Sequence, residues 1–92
     1  MKYRIVKTTR YRKELKKMLK RGKDIKKIGK VVRILAQGQT LPPQYHDHAL
    51  SGDLAGLRDC HIESDWVLLY SIESDVLALT LTRTGTHADL EL

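Results

Sequence analysis

The 92-residue sequence contains one cysteine, two prolines, no phenylalanine and no long hydrophobic run, and each scarcity excludes something. With Cys60 alone, no disulfide can form within the chain, so a packed core must hold the fold, as in a reducing compartment. The N-terminus carries Lys2 and Arg4 but no apolar stretch suited to a signal peptide, and nothing approaches the roughly 20 apolar residues of a membrane span. A cytoplasmic protein with no membrane partner is therefore expected. The length allows one domain, residues 1–92, near the lower limit for a single core. No glycine-rich nucleotide fingerprint and no nucleophile elbow is present, so no cofactor is expected. His46-x-His48 with His61 is a weak metal signal, and no metal is assigned.

Acid is scarce in one half only. Residues 1–37 hold 15 of the 17 Lys and Arg against Glu14 and Asp24, a charge of +13. Residues 38–92 set Arg58 and Arg83 against nine acids, a charge of −7, and contain all four histidines. A segment so strongly basic repels itself unless a polyanion or an acidic partner neutralises it, and nucleic acid is the first candidate.

Tyr3 and Ile5 alternate with Lys2, Arg4 and Lys7 as in a half-buried opening strand. Thr8 or Thr9 can cap a helix in which Tyr11, Leu15, Met18 and Leu19 share a face, with Gly22 as its stop. Its other faces carry Lys13, Lys16, Lys17, Lys20 and Arg21, which are predicted to hold RNA. Asp24 begins a second helix with Ile25, Ile28, Val32 and Leu35 on one side. The short connection makes an antiparallel helical hairpin. From Gly38 to Gly56 periodicity disappears, which predicts a long loop. Three strands follow at Leu57–Ile62, Trp66–Ile72 and Val76–Thr82, divided by Glu63-Ser64-Asp65 and Glu73-Ser74-Asp75. The order predicts an α+β domain: an antiparallel meander with helices on one sheet face and the other face free for a ligand.

Asp59 and His61 share a strand face, Asp65 and Trp66 start the next strand, and Arg83 and His87 follow the last. With His48 from the loop, these groups could converge. Histidine, aspartate and arginine suit cleavage of RNA by its own 2′-hydroxyl: one group removes the 2′ proton, one protonates the departing 5′ oxygen, and a cation stabilises the phosphorus-centred charge. Competing readings stay open. The loop histidines suit a solvated surface, His61 a hydrogen-bonded sheet position, and Arg83 a structural partner of Asp59 or Asp65. Trp66 is assigned to RNA as a stacking platform, with a place in the core as its rival.

The segments Tyr45-His46-Asp47-His48-Ala49-Leu50-Ser51-Gly52, Leu57 to Tyr70 and Arg83-Thr84-Gly85-Thr86-His87-Ala88-Asp89-Leu90 are similar to the YafQ branch of the RelE toxin superfamily. The resemblance is close over residues 45–90. It implies a RelE-like fold and a type II toxin–antitoxin toxin, a ribosome-dependent mRNA endonuclease that cuts at the A site without metal. Ribosome, mRNA and an acidic, DinJ-like antitoxin are the implied partners, with operator DNA reached only through the antitoxin complex. It also implies His48 as general base, Asp59, His61 and Asp65 at the site, Arg83 as the transition-state cation and His87 as general acid. His46 matches no family residue. Glu91 stands where the family commonly has an aromatic. The alternative reading is a non-catalytic module that binds nucleic acid or antitoxin and acts in operon repression.

Overall fold

The computed structural model describes residues 2–92. Strand β1 (Arg4–Lys7) leads into two twelve-residue helices, α1 (Thr9–Lys20) and α2 (Ile25–Ala36). Both begin at the expected caps. The Thr8 hydroxyl accepts from the Tyr11 N–H and the Asp24 carboxylate from the Lys26 N–H, each satisfying a donor that the first helical turn leaves free. Gly22, at φ +92°, turns the chain out of α1 without a side-chain clash. The 3.6-residue spacing buries Tyr11 and Met18 of α1 with Ile28, Val31 and Leu35 of α2 in one core.

The chain then forms β2 (His48–Ala49), β3 (Arg58–Glu63), β4 (Trp66–Glu73), β5 (Ala78–Gly85) and a closing turn of helix, α3 (His87–Leu90). The sheet order is β1-β5-β4-β3-β2, with β1 parallel to β5 and the other pairs antiparallel. The expected meander is therefore the middle of a larger mixed sheet. α1 lies chiefly along β5, and α2 reaches β3. Among the described residues, no helix is long and apolar enough to cross a membrane.

Three expectations are corrected. Residues 38–56 are not a plain loop: His48 and Ala49 pair with β3, between 3-10 turns at Pro43–Tyr45 and Gly52–Leu54. A two-residue strand is too short to show alternation. Val76 and Leu77 lie in the β4–β5 turn, half exposed, with Leu77 at φ +51°, although their apolar character suggests a strand. Nor is the second sheet face bare. Cys60, Ile62, Trp66, Leu68, Tyr70, Leu79 and Leu81 face the helices, while Val67 and Leu69 pack beneath Leu90, Leu50 and Leu57. α3 and the 50–57 segment cover that part of the face.

Register sets what remains open. His48 pairs with Asp59, Asp59 with Leu69 and Leu69 with Arg83, making one row across four strands. His61, Val67 and Gly85 form the next row. A register shift beyond Leu69, which moves the β4 partner from Leu81 at Tyr70 to Arg83 at Leu69, turns Arg83 onto this face.

Candidate active site

The rows bring His48 and His61 to either side of Asp59. The His48 Nε2 lies 4.0 Å from Asp59 Oδ2, and the His61 Nε2 lies 3.6 Å from Asp59 Oδ1. Asp59 is only 4% exposed, and its Oδ1 has no hydrogen-bond partner. A buried carboxylate oxygen left unpaired is costly. Here Oδ1 faces the His61 Nε2 and Oδ2 the His48 Nε2, each a donor when it holds a proton there. Asp59 thus lies buried against both histidines.

His48 is turned by a second contact. The His46 carbonyl accepts from His48 Nδ1 at 2.7 Å. With the proton at Nδ1, Nε2 keeps its lone pair, the form a general base requires. His46 holds this carbonyl in a left-handed backbone, φ +49°, and the next residue anchors the loop. The Asp47 Oδ1 accepts from the Tyr70 hydroxyl (2.6 Å) and from Arg58 Nε (3.2 Å). Burial, reinforced by this bond, pushes the Tyr70 phenol well above its ordinary range, so it stays a donor.

His87 opens α3. Asp65 Oδ1 accepts from both its backbone N–H (2.9 Å) and its Nδ1 (2.7 Å). These two bonds hold the Asp65 carboxyl below the usual range, so it is an acceptor only and Nδ1 carries the proton. α3 is closed by a capping box between Thr86 and Asp89. Asp89 also accepts from Arg21 at 2.7 Å, and this pairing, chiefly, brings its carboxyl down to about 2. Gly85 lets the turn sit close, because a Cβ there would meet the Asp89 Cβ at 3.0 Å.

The rings of His46, His61 and His87 stand in a row, with centroids 5.4 and 5.1 Å apart. From the His48–His61 part of the cluster opens a groove of about 850 Å³, lined by Lys27 and Lys30 of α2, by Tyr45, His46 and His48, and by His61 and Glu63 of β3. Among the described residues, no three His, Cys, Asp or Glu side chains gather as a metal site.

The structure thus brings together His48, Asp59, His61, Asp65 and His87, and separates the other assigned residues from them. Trp66 is 0% exposed: its indole fills the core and its Nε1 donates to Thr84 Oγ1 at 2.9 Å, so it offers RNA no face. The stacking assignment is corrected, because β4 turns this side chain toward the helices. Arg83 pairs with neither Asp59 nor Asp65. Its Nη2 and Nε donate to Glu14 of α1 at 2.7 and 3.2 Å. Two strand spacings, roughly 10 Å, and Leu69 separate it from Asp59. Arg21 is occupied by Asp89, whereas Lys13, Lys16, Lys17 and Lys20 lie on the outer surface of α1. Sequence reasoning missed His46, Asp47 and Glu14. The two-residue spacing of His46 and His48 was a usable signal for the first, while the other two depend on contacts across 11 to 70 residues.

Residues 3–92 match the family model described as the bacterial toxin of type II toxin-antitoxin system, YafQ. The chain is similar to the mRNA interferase toxin YafQ of Escherichia coli K12, 41% identical over 81 residues that cover 87% of this chain and 86% of that one. Among solved structures it resembles the toxin in the E. coli DinJ-YafQ toxin-antitoxin complex, at 37% identity and a TM-score of 0.88 over 98% of both chains. It also resembles a metal-bound toxin from Helicobacter pylori, at 40% identity and a TM-score of 0.89 over 98% of this chain and 99% of that chain.

Proposed function

This chain belongs to the YafQ family of type II toxin–antitoxin toxins, and from that premise we propose how its histidine cluster cuts messenger RNA. It is an endoribonuclease toxin with a DinJ-like antitoxin as its partner. It acts in the cytoplasm, on mRNA in the ribosomal A site. The observation that carries the mechanism is the pair of held imidazoles: His48 with Nδ1 on a carbonyl and His87 with Nδ1 on a carboxylate.

His48 Nε2 takes the 2′ proton. The 2′ oxygen attacks phosphorus, and the bond to the 5′ oxygen breaks. His87, as imidazolium, gives its Nε2 proton to that leaving oxygen. The products are a 2′,3′-cyclic phosphate and a 5′-hydroxyl. Asp59 steadies the proton gained by His48 and orients His61, which lies against the His87 ring and faces the charge developing on the phosphate. Arg83 serves the same charge after exchanging Glu14 for the phosphate, one anion for another. No step uses a metal ion. Lys13, Lys16, Lys17 and Lys20 hold ribosomal RNA, and an acidic antitoxin segment competes for the same surface.

The test is cleavage of ribosome-bound mRNA by the wild type and by His87→Ala, with the product ends read by mass spectrometry. Cyclic phosphate ends from the wild type, and a loss of about a hundredfold or more in the variant, are expected. Undiminished cutting by His87→Ala refutes the acid, and 5′-phosphate ends from the wild type refute attack by the 2′-hydroxyl.

A further inference from the structure

We propose that the groove between α2 and residues 44–48 binds the RNA phosphate next to the scissile one, with the His46 ring and the Lys30 ammonium as its ligands. The proposal rests on the RNA-cleaving reading of the histidine cluster and adds to it a subsite and two side chains that the reaction itself does not use.

The charges around the cluster give the RNA a direction. At the α3 end of the His87–His61–His46 row, Asp65 on His87 and Glu91 beyond the α3 cap have no Lys or Arg partner among the described residues, while Asp89 and Glu14 are paired with Arg21 and Arg83. The groove end is different. Its one acid, Glu63, is taken by Lys23 and Lys27 at 2.8 and 2.7 Å, and these bonds hold its carboxyl below the usual range. That occupies Lys27 too. Lys30 lines the same groove from the next turn of α2, is exposed, and forms no ion pair among the described residues. A strand fixed at its scissile phosphate is repelled at one end of the row and attracted at the other.

His46 stands where that attraction is needed. Its backbone φ of +49° is uncommon for a residue with a side chain, and the anchored Asp47 beside it keeps the chain so turned. This places the exposed ring 5.4 Å from His61 at the mouth of the groove. Unlike the other three histidines, His46 has no carboxylate within ion-pair distance among the described residues, so a phosphate would be its first anionic partner. The groove, at about 850 Å³, falls within the range of ligand-binding clefts and admits a nucleotide with its phosphate.

The experiment uses a short single-stranded RNA with a 2′-deoxy substitution at the cleavage position, so that binding is read apart from cutting, at low salt. A second probe carries a neutral methylphosphonate in place of the neighbouring phosphate. His46→Gln and Lys30→Gln should each weaken binding of the first RNA by roughly threefold to tenfold. They should lose most of that penalty on the second. Lys30→Gln should also flatten the dependence of log K on log salt by about 0.7. With cleavable mRNA on ribosomes, Lys30→Gln should raise KM and leave kcat within about twofold of the wild type. Unchanged binding, a penalty that survives the methylphosphonate, or a fall in kcat at constant KM overturns the proposal. If the wild type fails to cut but the binding pattern holds, the subsite stands and the reading of the chemistry falls. Cutting that requires His87, without the binding pattern, is the reverse result.

Discussion

Replacing Trp66 with phenylalanine separates the two roles open to a tryptophan beside a nuclease site. The indole is 0% exposed, and its Nε1 donates to Thr84 Oγ1, which passes a second bond to the Val67 carbonyl at 2.8 Å. Phenylalanine keeps an aromatic ring in the core but removes the donor and part of the volume. Losing the buried hydrogen bond costs about 1 kcal/mol. The space left, ~40 Å³ at roughly 24 cal/mol per Å³, adds about 1 kcal/mol. A loss of about 2 kcal/mol leaves a domain of this size folded. It lowers Tm by roughly 8–16 °C. Circular dichroism melting measures that shift, and RNA binding well below either midpoint should stay within about twofold of the wild type. An unchanged Tm together with a large loss of RNA affinity would mean that the indole leaves the core to meet the base, and the argument from burial would fail.

Asp65→Asn weakens the acceptor that fixes His87, and kcat should fall about a hundredfold with KM nearly unchanged; single-turnover cutting at the wild-type rate would contradict this. Gly85→Ala forces a Cβ against Asp89 and moves α3, so cutting should drop at least tenfold while RNA binding holds, as gel-shift and cleavage assays on one preparation would show. Glu14→Gln releases Arg83 and should tighten RNA binding severalfold, with a modest loss of Tm; weaker binding would show that Glu14 orients the arginine rather than competing for it. The Asp89 carboxyl is depressed to about 2 by Arg21, so its stabilising effect is complete above the ordinary carboxylate range and is lost as pH falls from about 4 toward 2. The acid-unfolding midpoint of Arg21→Gln should lie above that of the wild type, and coincident midpoints would show that the pair contributes nothing.

Most of the fold is legible in local signals. The caps at Thr8 and Asp24, the stop at Gly22 and the apolar periods of both helices need only neighbouring residues, and the structure repeats them. Cys60, Ile62, Leu68 and Tyr70 turn to the helices as strand alternation requires. What stayed hidden depends on contacts between distant segments. β1 joins β5 across more than seventy residues, and β2 is two residues that become a strand only because β3 lies beside them. The site divides in the same way. Asp59 and His61 share a face by simple alternation, and Asp65 sits one tight turn away. The partner of Arg83 was not visible because a register shift turns it and an acid on α1 receives it. His46 matches no family residue, and nothing local in the sequence places its ring against His61.

The basic half gains a second task from these contacts. Arg21, Lys23 and Lys27 pair with Asp89 and Glu63, the acids two residues beyond His87 and His61. Three of the 15 cations that composition assigns to a polyanion thus hold the α3 turn that carries His87 and the β3–β4 turn that follows His61. Exposed pairs of this kind contribute little, because solvent and salt screen them. That is too little to secure the fold, but it biases where short turns sit. Salt therefore acts on this protein twice. It weakens RNA binding through the unpaired lysines of α1, and it loosens the turns beneath His61 and His87 by screening their partners. Binding and turnover should then fall with different salt slopes, the slope for turnover being the steeper. Charge-neutral variants of Arg21 and Lys27 should bring the two together by removing the second effect while the lysines of α1 remain.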